Sequence, residues 1–161
     1  MPIAVCLPTN DGWGYYTQLA DNSDATFVST SSNSWIYDYI SFTNPNLGGV
    51  INSISVCSRC YGTGAFPTST RNKQGITLTS DYFGPDNNNQ VGVSQFTKTW
   101  TTNPKTGNIW QWADLTNIYM ILGLVGVSPQ NISYSICTKH WLEIDYTLPC
   151  SRGAQMIGPT W

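Results

Sequence analysis

A chain of 161 residues with a net charge of −2 and only seven Lys and Arg carries no electrostatic footprint for a nucleic-acid backbone, and its 40 % hydrophobic content excludes a disordered polymer. No apolar run approaches the roughly 18 residues of a membrane span; the longest is Ile118 to Val127. Charged residues are 10 % of the chain, against a usual figure of about 25 %, while Ser, Thr and Asn fill close to a third and aromatics 13 %, which is the composition of one compact domain with a largely uncharged surface.

The chain starts with a segment, residues 1–19, that reads as an N-terminal arm or a first strand. Its Met1-Pro2-Ile3-Ala4-Val5-Cys6 start lacks the basic residue and long apolar stretch of a signal peptide, which predicts synthesis in a reducing compartment. Residues 20–148 read as the folded domain. Turn signals recur at Asn44-Pro45-Asn46, Gly48-Gly49, Gly62-Thr63-Gly64, Gly84-Pro85-Asp86 and Asn103-Pro104. Between them, β-branched and aromatic runs predict strands at Thr26–Ser29, Tyr37–Thr43, Val50–Tyr61, Gly75–Ser80, Val91–Lys98, Ile118–Val127 and Asn131–Thr147. Seven or eight short strands with turns between them predict an all-β, antiparallel β-sandwich of jelly-roll type. One short helix fits near 108–117, where Thr106-Gly107-Asn108 can cap Trp110-Gln111-Trp112-Ala113-Asp114-Leu115. Residues 149–161 lose the pattern and read as an apolar C-terminal tail suited to a neighbouring subunit.

The five cysteines and the single histidine are the first candidates for chemistry. Cys57-x-x-Cys60 with Cys137-x-x-His140 has the spacing of a Cys3His zinc set. Strict strand alternation argues against it. In Ile132 to Tyr146 it puts His140 on the apolar face and Cys137 on the polar one, and in Ile51 to Tyr61 it puts Cys60 inward and Cys57 outward. No metal or other cofactor is therefore expected; His140 reads as a satisfied core histidine and the thiols as small buried groups. The shared outward parity of Cys57 and Cys137 makes them the best intrachain disulfide pair.

Catalysis has few residues to work with. The chain has one His and one Glu, so a Ser-His-Asp or Cys60–His140 pair would have to operate from the core face. Glu143 and Asp145 share a strand face about 7 Å apart, within reach of a glycosidase pair, but read as solvated strand residues near Lys139. Asp21-Asn22-Ser23-Asp24 and Asp86-Asn87-Asn88-Asn89 read as turns, not calcium loops. Asn131-Ile132-Ser133 matches a glycosylation acceptor only by pattern. The aromatic residues Trp13, Tyr15, Tyr16, Trp35 and Trp141 are candidates for stacking on a sugar, Trp141 foremost because it falls on the polar parity of its strand.

Three segments carry a family likeness: Asp21–Val28 followed by Ile36–Asn44; Thr99–Trp110, with its Asn103-Pro104-Lys105-Thr106-Gly107-Asn108-Ile109-Trp110 turn; and the closing strand Ile136–Tyr146. This order resembles the small jelly-roll-like β-sandwich structural proteins of tailed-bacteriophage virions. The likeness spans roughly residues 20–147 and is most specific at Asn103–Trp110; the cysteines and the tail depart from it. It implies a non-enzymatic virion component, a capsid decoration or a part of a tail or fibre, located in the virion. It also implies a homo-oligomer, trimeric by preference, docked on other virion proteins. The alternative is a lectin-like module that binds a cell-surface glycan. Within the motif, Trp100, Asn103, Pro104, Gly107 and Trp110 form a structural anchor, with Pro104 and Gly107 shaping the turn and Trp110 pinning the adjoining short helix to the core.

Overall fold

The computed structural model describes residues 2–10, 16–20, 23–127 and 132–149. In chain order the elements are β1 (Ile3–Cys6), β2 (Pro8–Asn10), α1 (Tyr16–Ala20), β3 (Val28–Thr30), β4 (Ile36–Phe42) and β5 (Val50–Gly64). A 3-10 turn at Pro67–Ser69 leads to β6 (Arg71–Thr77), β7 (Asp81–Phe83), β8 (Asn87–Asn88) and β9 (Ser94–Trp100). A second 3-10 helix, Trp112–Asn117, precedes β10 (Tyr119–Val125) and β11 (Ser133–Thr147).

Two antiparallel sheets face each other. The first runs β1-β11-β5-β9, with β3 also on β11; the second runs β2-β4-β10-β6-β7, with β8 also on β6. With β2, β3 and β8 set aside as additions, eight strands remain and their pairing is nested. First pairs with last (β1–β11), second with seventh (β4–β10), third with sixth (β5–β9) and fourth with fifth (β6–β7). The contacts β11–β5 and β10–β6 close each sheet. One long hairpin rolled onto itself gives this order, which is the jelly roll.

The interior divides in two. Ile40, Met120 and Ile76 form one rung of the second sheet and meet Ile54, Val56, Leu142 and Ile144 of the first in an apolar core closed by Trp100, Trp110 and Leu115. Toward the other end polar side chains join Leu122 and Leu124 on the inward faces. Gln74 donates to Ser58 Oγ (2.5 Å) and Asn72 Oδ1 (2.7 Å), Asn72 donates to Asn89 Oδ1 (2.5 Å), and Asn89 donates to Thr70 Oγ1 (2.9 Å) and Ser135 Oγ (2.8 Å). This chain of amides and hydroxyls joins the two sheets from inside and satisfies groups that would otherwise be stranded.

Two irregularities set which residues face inward. Between Cys137 and Lys139 the register skips Thr138, and between Tyr146 and Asp145 it skips Asn52 of the partner strand. An extra residue inverts the alternation beyond it. Ser133, Ser135 and Cys137 therefore point inward, and so do His140, Leu142 and Ile144.

The predicted helix is shorter than expected and starts later. Residues 103–108 are used up by a turn: the N–H groups of Thr106 and Gly107 donate to the Asn103 carbonyl, and Gly107 has φ +75°. The helix is capped instead by Gln111 and Asp114, each side chain bonding the other's backbone N–H. Of the two expectations for residues 1–19, an arm or a first strand, the described residues there include strands: β1 and β2 contribute to one sheet each, and Leu19 of α1 is buried in the core. Between β4 and β5, Gly49 (φ +80°) passes so close to the Thr147 carbonyl that a Cβ would sit 2.0 Å from its oxygen, so only glycine fits.

Candidate functional site

The most developed surface feature lies on the outer face of the second sheet. Trp35, just before β4, and Tyr37 on β4 have ring centroids 6.0 Å apart at 11°, and Tyr37 meets Phe83 of β7 at 5.1 Å. The backbone beneath is bare. A Cβ on Gly123 would lie 2.9 Å from the Tyr37 ring, and one on Gly75 2.7 Å from the Phe83 ring, so both rings lie directly on the sheet over glycine. Lys73, opposite Gly123 on β6, extends its ammonium over Trp35 (4.1 Å), Phe83 (4.7 Å) and Tyr37 (5.3 Å). Arg71 lies 5.6 Å from the Trp35 ring centroid, and both cations pair with Asp86 (3.3 and 3.5 Å). At the other end Tyr39 donates to Asp81 Oδ2 (2.7 Å), which holds its phenol above the ordinary range. The face thus combines half-buried rings, the Lys73 ammonium over three of them, and further charged and hydroxyl groups beside them, a set of groups that can pack on a sugar ring and bond its hydroxyls.

The outer face of the first sheet is different. Trp141, Cys57 and Thr97 form one rung, and Trp141 is only 6 % exposed. Its indole N–H donates to Glu143 (2.8 Å), and Lys139 Nζ stands 5.1 Å from its ring. The expectation of Trp141 as a stacking platform is therefore corrected: outward parity does not make it accessible. Glu143 is committed to that indole, and Asp145 accepts from Asn52 (3.3 Å).

The sulfur candidates are rearranged by the Thr138 bulge. Cys137 lies inward, directly opposite Cys60, and its thiol donates to the Lys139 carbonyl (3.2 Å). Cys57 lies on the outer face, where Thr97 donates to its sulfur (3.5 Å). The expected Cys57–Cys137 disulfide is corrected accordingly, since its side chains point to opposite faces of the sheet; Cys6, Cys57, Cys60 and Cys137 are all free thiols. Burial pushes the Cys6 and Cys57 thiols up to about 11 and raises Cys137 well above its ordinary value. Of the zinc set, Cys60, Cys137 and His140 share the inner face, yet among the described residues no group of three His, Cys, Asp or Glu side chains is placed to hold a metal ion.

His140 is in the core, as expected, but it is not satisfied. It is fully buried, neither ring nitrogen has a hydrogen-bond partner among the described residues, and desolvation lowers its pKa to about 3. The Asn103–Trp110 segment is knitted as its residue types suggest. Asn103 Oδ1 accepts from the Lys105 N–H (3.0 Å), and Trp110, 1 % exposed, donates from its indole to the Trp100 carbonyl (3.0 Å). Beside it a cavity of about 320 Å³ is lined by Leu78, Lys105, Thr106, Asp114 and Asn117 among others, with Asp114 already committed to its helix cap.

Of the remaining candidates, Asp24 pairs with Arg59 (2.5 Å) and accepts from Thr138 (2.8 Å), while Ser133 accepts from the Phe66 N–H (2.7 Å). Trp13, Tyr15, Asp21, Asn22, Asn131, Cys150 and residues 151–161 lie outside the described residues, as does the side chain of Tyr16. Trp35 is legible in the sequence as a stacking candidate. Its partnership with Tyr37, Phe83 and Lys73 is not, although the alternate spacing of Trp35, Tyr37 and Tyr39 signals one aromatic strand face. Compared with known proteins, the chain matches no family model and no curated protein.

Proposed function

We propose that this chain is a structural module of a phage-like particle, a capsid decoration or a tail or fibre component, that works by self-association and by docking on other particle proteins and performs no catalysis. The observation that carries the reading is the nested eight-strand jelly roll, an architecture used by viral capsid domains. Its outermost strand β1 presents Ile3 (60 % exposed) and Val5 (57 % exposed) on the outward face. The resemblance of the Asn103–Trp110 turn and the closing strand to small phage virion proteins supports the same assignment. Exposed aliphatic side chains on a weakly charged domain suit flat contacts between subunits. Light scattering of the purified protein under reducing and non-reducing conditions tests it. A defined oligomer, a trimer by preference, that survives reduction is expected; a monomer at every concentration would overturn self-association.

A second reading has its own observation in the Trp35–Tyr37–Phe83 face. Aromatic rings packed over Gly75 and Gly123, with the Lys73 ammonium and other polar groups among them, favour a glycan-binding surface, either alone or on the same particle. A glycan array probed with the wild-type protein and with Trp35→Ala tests it. Binding that is lost in the variant supports the reading, and binding unchanged by it, or no binding by the wild type, refutes it.

A further inference from the structure

The geometry points to a covalent modification site inside the roll: we infer that Cys60 and Cys137 form a disulfide under oxidising conditions, stapling β5 to β11. The two residues are direct register partners on antiparallel strands and both point to the inner face. Directly opposed residues in such a pair have Cα atoms about 4.5–5.5 Å apart, inside the roughly 4.4–6.8 Å that a disulfide spans. The Thr138 bulge makes this juxtaposition. Without the extra residue the strand's alternation would carry Cys137 to the outer face whenever His140 faces inward. The other described cysteines lack this arrangement. Cys57 stands on the opposite face, opposite Trp141 and Thr97, and Cys6 stands opposite Leu142.

The chemistry is thiol–disulfide exchange with a low-molecular-weight disulfide such as oxidised glutathione. One protein thiolate attacks a glutathione sulfur and expels the first glutathione; the second protein thiolate attacks the mixed disulfide and expels the other. Two protein thiols are oxidised, one glutathione disulfide is reduced to two glutathione thiols, and the two protons released by the cysteines end on them. Both cysteines are fully buried, so the exchange takes place while β5 and β11 are still closing or are transiently open, not in the closed roll. The bond joins the third and last strands of the roll, whose residues are far apart in the chain, and so restricts the unfolded state over a long loop. It stabilises the module once it has left a reducing compartment, whether or not the module assembles.

The test is refolding of the full chain in mixtures of reduced and oxidised glutathione, followed by alkylation and non-reducing tryptic mapping. Trypsin cuts after Arg59 and after Lys139, which separates Cys57 from Cys60 and releases Cys137 in its own peptide. A Cys60–Cys137 linked pair is expected, with Cys57 alkylated and the melting temperature raised by roughly 10 °C over the reduced protein. Cys57→Ser should keep the link and the shift, and Cys60→Ser should lose both. Cys60 and Cys137 both alkylated in folded, oxidised protein, or Cys137 linked to any other cysteine, would overturn the inference. So would a Cys57→Ser protein that folds and loses the link.

Discussion

His140 offers the sharpest test of the interior. A neutral imidazole carries one donor and one acceptor, and among the described residues neither finds a partner. Replacing it by leucine, of similar bulk, removes two stranded polar atoms and is expected to stabilise the protein at pH 7 by about 1–2 kcal/mol. The acid response follows from proton linkage. The folded-state pKa is lowered to about 3, while the unfolded chain titrates near 6.5. Above pH 6.5 neither state binds the extra proton and the full stability is present. Below it the unfolded chain takes up a proton that the folded core refuses, so stability falls as pH drops, by about 1.4 kcal/mol per unit. From pH 7 to pH 4.5 this residue alone should remove about 2.5 kcal/mol. Urea titrations of the wild type and His140→Leu, followed by tryptophan fluorescence at both pH values, measure the difference. The wild type should lose about 2.5 kcal/mol more than the variant over that interval. Equal losses would refute the buried neutral imidazole, and a variant less stable at pH 7 would refute the claim that its nitrogens lack partners.

Other substitutions probe the rest of the frame. Trp110→Ala removes a buried indole and its bond to the Trp100 carbonyl and should cost about 3–5 kcal/mol; an unchanged melting temperature would show that Trp110 is not an anchor. Asn89→Ala breaks the polar chain at its centre, leaving Asn72, Thr70 and Ser135 each short of a partner, and about 3 kcal/mol should be lost in a denaturant titration. Arg59→Ala removes an ion pair whose side chains are 28 % and 40 % exposed, so the loss should stay below about 1 kcal/mol and shrink further in high salt; a larger loss would mean that Asp24 positions Thr138 through that pair.

The architecture is legible in the sequence because its signals are local. Val50–Tyr61 and Asn131–Thr147 carry enough β-branched and aromatic residues to declare the two long central strands, and the recurring turn residues separate the others. The short strands β2, β7 and β8 escape as separate elements because two or three residues leave no period to count. The sulfur arrangement is hidden for a different reason. Unbroken alternation through Ile132–Tyr146 is the natural reading, and nothing in Cys137-Thr138-Lys139 announces an extra residue. Thr138 bulges in the tertiary structure, where its hydroxyl donates to Asp24 (2.8 Å) and approaches the Arg59 carbonyl (3.4 Å). The aromatic face is half legible. Trp35, Tyr37 and Tyr39 share one parity of β4, but Phe83 and the glycines beneath them come from strands that only the fold brings alongside.

That one bulge accounts for much of the difference between the two ends of the roll. Beyond Thr138, β11 sends His140, Leu142 and Ile144 inward to meet Val56 and Ile54; before it, Ser133, Ser135 and Cys137. With uninterrupted alternation the inward set before the bulge would be Tyr134 and Ile136, leaving Asn89 without the Ser135 hydroxyl and Cys60 without its partner thiol. In the second sheet β6 follows this division, with Ile76 toward the apolar end and Gln74 and Asn72 toward the polar one, while β10 keeps Leu122 and Leu124 inward beside them. Sheet pairing alone permits many sandwiches, whereas a polar chain that closes only when both sheets are in register penalises each slipped arrangement by stranding its amides. The polar end therefore specifies how the two sheets face each other, and the apolar end, with Trp110 and Leu115 packed against it, supplies most of the burial that holds them together.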